Sequence, residues 1–178
     1  EMPVLKESLH DFVQGLPHVG ILVVDEYKKD TPTFVQEAQA LVLTALHDRP
    51  TWASTNNRRP LREDLLLPPG TLVLDKPSAN AFIRTGLRDR IVSAGVTDLV
   101  VMGYHRDACV AATIGHLWDA TPRAEDYGAV NFGFTVHTHL HLVHGGSLSK
   151  RGDRPLWYAA ARIPEIPEGE RLRIYTVL

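Results

Sequence analysis

Three short runs of apolar, largely β-branched residues constrain the fold of this chain more than any other feature: Val19 to Val24, Thr71 to Leu74 and Leu99 to Met102, each preceded by turn-like or polar sequence. Runs that short and that continuously apolar are the mark of strands buried on both faces of a parallel sheet. Segments with helical spacing lie between them, Phe34 to Leu46 and then Ala81 to Ala94, the second with Phe82, Leu87 and Ile91 on one side. A shorter candidate strand, Pro50 to Ser54, falls in the same series. Strand alternating with helix predicts an α/β chain, a three-layer α/β/α sandwich whose mainly parallel sheet is covered on both faces.

Further along, Asp107 is a good helix N-cap and Ala108 to Leu117 continue with helical spacing. Phe134 to Val143 alternates as a strand does, and Leu172 to Val177 reads as a closing strand. Pro155, Pro164, Pro167 and Gly169 punctuate the tail in the manner of an ordered loop. No repeat or low-complexity stretch suggests a boundary, so residues 1–178 are expected to form one domain.

Composition removes several classes of function. A chain of 178 residues, 44% hydrophobic and 22% charged, has the makings of a globular core and lacks a long apolar span. Nineteen basic residues against twenty-one acidic ones leave a formal charge of −2, which offers nucleic acid no attractive field. The single Cys cannot form an internal disulfide, and Lys6, Glu7 and Asp11 stand where a secretory signal needs an apolar run. A cytoplasmic protein acting on a small molecule, with neither membrane nor nucleic acid as partner, is the expectation.

In open parallel sheets the ligand crevice lies at the carboxyl ends of the strands. There the first run leads into Asp25, the second into Asp75 and Lys76, and the third into Gly103 and, six residues later, Cys109. An acid, an amine and a thiol thus converge on one rim. A thiol with a pKa near ~8.5 needs help to become a nucleophile at neutral pH. Asp25 can take its proton, Lys76 can stabilise the thiolate, and the positive end of the helix begun at Asp107 would favour the anion further. Each residue alone has a plainer use, Cys109 as a small buried hydrophobe and Asp25 as a cap. Their convergence is what favours chemistry.

Three separated motifs resemble the isochorismatase-like cysteine hydrolases, a family that includes nicotinamidases and carbamoyl-amide hydrolases. The first is the strand Ile21-Leu22-Val23-Val24 ending in Asp25; the second is Lys76-Pro77-Ser78-Ala79-Asn80-Ala81-Phe82 with Thr85 and Leu87. The third is Leu99-Val100-Val101-Met102-Gly103 followed by Asp107-Ala108-Cys109-Val110 and Thr113. The resemblance spans residues 19 to 120, and the last third departs from it. It implies that Asp25 deprotonates Cys109, that the thiolate attacks a carbonyl carbon to give a thioester, and that Lys76 assists. It also implies an oxyanion hole from the backbone amides of His105 and Cys109, a cis peptide at Tyr104-His105, no cofactor, and a homo-oligomer, dimer or tetramer.

Departures from the family pattern fall around the substrate. The family commonly has Gln two residues after its Asp, where this chain reads Asp25-Glu26-Tyr27-Lys28-Lys29-Asp30, so Tyr27 is a candidate substrate contact. Nicotinamidase-type relatives bind a metal through an Asp and several His after the second strand; here that stretch is Trp52 to Arg59, without a ligand set, which argues against a nicotinamidase and a metal requirement. Arg58 is either a substrate contact or a solvated loop residue, as is Arg59. Arg106, where the family often has Thr, either reads a substrate carboxylate or is a solvated turn residue. His137, His139 and His141 would share one face of a strand, as a metal site, a hydrogen-bonded face or a subunit contact.

The leading function is therefore a metal-independent cysteine hydrolase that cleaves the C–N bond of a small amide or carbamoyl substrate. A catalytically degenerate binding or assembly module of the same fold is the alternative. So is a vinyl ether hydrolase of the isochorismatase type, though relatives of that type generally lack the nucleophilic Cys.

Overall fold

A computed structural model describes residues 14–24, 33–56, 60–61, 65–115, 127–138 and 142–145. In chain order these form β1 (Val19–Val23), α1 (Thr33–Ala45), β2 (Thr51–Asn56), β3 (Leu72–Lys76), α2 (Leu87–Ser93) and β4 (Asp98–Tyr104). There follow a π-helical turn (Arg106–Val110), α3 (Ala111–Ile114), a 3₁₀ turn (Ala129–Phe132), β5 (Thr135–His137) and β6 (Val143–His144). All strand pairings are parallel, in the order β3-β2-β1-β4-β5 with β6 also on β4.

The runs on β1 and β4 are continuous because each of these central strands feeds two cores; β3, expected to be buried on both faces, lies at the sheet edge and buries Leu74 while Val73 is 50% exposed. Along β1 and its exit, Leu22 and Val24 enter one cluster with Leu87 and Ile91 of α2, Val110 and Ile114, while Val19, Ile21 and Val23 enter another with Val42 and Leu43 of α1. β4 divides in the same way, Leu99 and Val101 to one side and Val100 and Met102 to the other. This two-sided burial is the predicted α/β/α sandwich. Among the described residues no helix is long and apolar enough to cross a membrane.

Three expectations need correction. The helix predicted over Ala81 to Ala94 begins only at Leu87. Ahead of it, the Asn80 side chain accepts the Phe82 N–H at 2.9 Å, the Thr85 hydroxyl donates to the Ala81 carbonyl, and Arg84 and Gly86 adopt φ of 54° and 68°. These side-chain bonds offer the backbone turns in place of a helical ladder.

The strand predicted over Phe134 to Val143 is two short ones. The pairing offset to β4 is 37 residues at His137 with Val100 and 40 at Val143 with Gly103, so three additional residues separate β5 from β6 along one edge. The Thr138 hydroxyl, donating to the Val101 carbonyl at 2.9 Å, holds the start of that interruption.

The helix expected from Asp107 is instead capped by His105, in extended backbone. Its first bonds are Val110 N–H to the His105 carbonyl and Ala111 N–H to that of Arg106, which makes the opening turn π-helical, and the regular helix is short, giving way at Gly115. Leu117 and the proposed strand Leu172 to Val177 lie outside the described residues.

Candidate functional site

The strand order creates the site. The chain moves from β1 outward through β2 to β3, then returns to the other side of β1 to lay down β4. The reversal puts a topological switch point between β1 and β4, where a crevice opens at the carboxyl ends. Val23 of β1 is level with Met102 of β4 and Ala53 of β2. Beyond the strand, the Val24 N–H donates to the Met102 carbonyl at 3.0 Å and its carbonyl accepts the buried Ser54 hydroxyl at 2.9 Å. These bonds hold the backbone up to the residue before Asp25. Asp25 itself, with Tyr27, Arg58, Arg59, His139 and His141, lies outside the described residues.

Lys76 ends β3, with Leu74 on the buried side of the strand and Asp75 on the exposed one. Only 2% of its surface is exposed, and its Nζ donates to the Ser78 carbonyl at 3.4 Å. β3 and β4 are three strand spacings apart, about 14 Å. The Lys76 amine on β3 is therefore separated from the turn after β4 by β2 and by β1, the strand that leads into Asp25.

Cys109 is a free, half-buried thiol inside the π-helical turn, packed against the cluster that holds Phe82, Val110 and Val130. The Tyr104-His105 peptide before it is cis, as the resemblance implied. The His105 carbonyl accepts the N–H groups of Ala108 and Val110, on either side of Cys109, both at 3.1 Å. His105 is half-buried, its ring edge-on to Tyr104 at 5.3 Å, with Nδ1 buried and without a hydrogen-bond partner among the described residues. Arg106 is half-buried too, and its N–H donates to the Gly145 carbonyl at 2.8 Å.

Thr113, four residues beyond Cys109 and fully buried, has a role that its place in the motif did not disclose: its hydroxyl accepts the Ala81 N–H at 3.0 Å. Asn80 next to it donates to the Tyr127 carbonyl at 3.0 Å. The loop that follows Lys76 is thus bonded directly to the helix that follows Cys109. The place of Thr113 in the third motif, four residues after Cys109, was the available signal.

His137 lies at the other end of the sheet from Cys109. Its Nε2 pairs with Asp98 Oδ1 at 3.0 Å, and both side chains are largely buried. No acidic partner stood near it in the sequence; the β4-β5 pairing brings one from 39 residues away. The described histidine of the alternating set is therefore hydrogen-bonded on a strand face. Among the described residues no three His, Cys, Asp or Glu side chains come together in a way that could hold a metal ion.

The family model for the isochorismatase domain matches residues 19–120. No curated protein matches the sequence. Similar solved structures include N-carbamoylsarcosine amidase from Thermoplasma acidophilum, 16% identical with a TM-score of 0.58, covering 72% of this chain and 85% of that one. The nicotinamidase from Staphylococcus aureus is 16% identical, TM-score 0.55, covering 72% and 84%. The pyrazinamidase of Pyrococcus horikoshii in complex with zinc is 17% identical, TM-score 0.54, covering 72% and 87%. Here β2 ends in Ser54, Thr55 and Asn56, and the Ser54 hydroxyl is bonded to the Val23 and Val24 carbonyls. The motifs on β1, β3 and β4, the parallel sheet that aligns their ends and the match over residues 19–120 agree, and the chain belongs to the isochorismatase-like hydrolases.

Proposed function

We propose that the protein is a cysteine hydrolase that cleaves the C–N bond of a small amide or carbamoyl compound through a thioester. The observation that carries this reading is the strand order, which sets the exit of β1, leading to Asp25, beside the exit of β4, leading to Cys109, with buried Lys76 approaching from β3. In the proposed sequence the Asp25 carboxylate takes the Cys109 proton and Sγ bonds to the carbonyl carbon. The carbonyl electron pair moves to oxygen, where the amides of His105 and Cys109 receive it. Collapse breaks the C–N bond, and the proton held by Asp25 leaves with the nitrogen as ammonia or an amine. Water then adds to the thioester, giving its proton to Asp25; the C–S bond breaks, and the thiol recovers the proton as the acid departs.

Lys76 acts electrostatically, steadying the anionic carboxylate and thiolate from a site too buried for water to screen them. Tyr27, Arg58 and Arg106 are the proposed substrate contacts, the two arginines suiting a carboxylate. Each proton transfer in this sequence is made by Asp25 and the nucleophiles are Cys109 and water, so the proposed reaction is written without a metal.

The test is an ammonia-release screen over primary amides, ureides and carbamoyl compounds, with Cys109→Ala beside the natural sequence. A substrate whose turnover falls by roughly 10³ or more in the variant supports the mechanism. Turnover that survives Cys109→Ala would overturn the thioester, and no turnover of any compound in the screen would favour a binding module of the same fold.

A further inference from the structure

The backbone that carries Cys109 is braced from one side by residues 142–145. The Leu142 carbonyl accepts the Gly103 N–H at 3.0 Å, β6 pairs Gly103 with Val143 and Tyr104 with His144, and the Gly145 carbonyl accepts the Arg106 N–H. The approach is close: a Cβ on Gly145 would lie 2.2 Å from the Tyr104 ring. Since β6 is only two residues long, its own ladder is too short to fix it.

Two buried side chains supply what the ladder lacks. One is Thr138, through the Val101 carbonyl. The other is Gln39, in the middle of α1 and 2% exposed, whose Nε2 donates to the Leu142 carbonyl at 2.8 Å. That carbonyl therefore bonds α1 and β4 at once. Gln39 Oε1 is also buried, with no hydrogen-bond partner among the described residues. A half-bonded amide on the helix that sends Val42 and Leu43 into a cluster with Val100 and Met102 is a poor way to fill space. Met or Leu would fill it without an orphaned acceptor, so the use of this amide lies in the bond it makes.

We propose that Gln39 is a positioning residue for the Cys109 turn: by fixing the Leu142 carbonyl it holds Gly103 to Arg106, and with them the His105 and Cys109 amides, in register with the crevice. The catalytic part of this inference rests on the reading of Cys109 as nucleophile.

The test uses Gln39→Met, which keeps the volume and removes both the donor and the orphaned acceptor. Hydrogen exchange at the Gly103 and Arg106 amides should quicken by about tenfold, the loss of roughly one buried hydrogen bond. Alkylation of Cys109 by iodoacetamide at neutral pH should slow by about three- to tenfold while the thermal midpoint stays level or rises, a divergence that a merely structural role would not give. Thr138→Val, acting on the same brace, should loosen the same two amides and serves if Gln39→Met does not fold. Wild-type exchange in both variants would overturn the inference, as would quickened exchange spread evenly over β1 and β2 with a lower midpoint. Should Cys109 of the natural protein be alkylated no faster than a small free thiol, the nucleophile reading itself falls. Unchanged exchange beside fast wild-type alkylation removes the role of Gln39 alone.

Discussion

Thr113→Val isolates the bond that joins the two halves of the candidate site. Thr113 and Ala81 are both fully buried, and the Thr113 hydroxyl is the acceptor recorded for the Ala81 N–H, at 3.0 Å. Valine has nearly the same shape, so the substitution opens little cavity and mainly strands the amide. A buried donor left without an acceptor costs about 1–3 kcal/mol, and the added methyl returns some ~0.8 kcal/mol of burial. The net expectation is a loss of about 0.2–2.2 kcal/mol, which at this chain length lowers the thermal midpoint by up to roughly 9 °C. Calorimetry or urea unfolding measures the global effect. Exchange at the Ala81 amide measures the local one, expected to quicken by roughly 5- to 30-fold. Thr113→Ser keeps the hydroxyl and should leave the Ala81 amide protected even though a methyl is lost. A Val variant with wild-type midpoint and wild-type Ala81 exchange would refute the claim that this bond couples the Lys76 loop to the Cys109 helix.

Other substitutions probe the amine and the packing behind the nucleophile. Lys76→Met puts an apolar chain of similar length where 2% of the lysine is exposed; far-UV circular dichroism should be unchanged and turnover should fall by about 10²-fold or more. Activity within threefold of wild type, on the order of ~0.6 kcal/mol, would take Lys76 out of the chemistry. Gly128→Ala should destabilise by about 1–3 kcal/mol in urea, because its Cβ would stand 2.3 Å from the Gly115 nitrogen and 2.7 Å from the Thr113 carbonyl, neither of which can swing aside. An unchanged urea midpoint would show that the 3₁₀ turn is free to shift away.

The layered architecture was legible in the sequence because it follows from local patterning. Continuous β-branched runs at Val19 and Leu99 announce strands buried on two faces, and the observed split of β1 and β4 between two cores is the same fact seen in space, whereas the run at Thr71 forms an edge strand with Val73 exposed. That the carboxyl ends of β1, β3 and β4 share one rim was legible for a related reason, since parallel strands present all their carboxyl ends on one side. Element ends were less so. Asn80 and Thr85 replace the predicted first turns of α2 by side-chain bonds to the backbone, a competition that helical periodicity does not register.

What the tertiary structure alone decided is which distant groups meet. Strand order is set by how helices pack on a twisted sheet, and only that order brings the exit of β1 beside that of β4 and carries Asp98 to His137 across 39 residues. The bonds from Thr113 to Ala81 and from Gln39 to Leu142 span 32 and 103 residues. In the sequence, Gln39 is one polar residue in an amphipathic helix; only folding, which buries it beside the Leu142 carbonyl, makes it part of the support for Cys109. A sequence states which faces are apolar, whereas the partner of a buried polar atom is chosen by the packing of the whole chain.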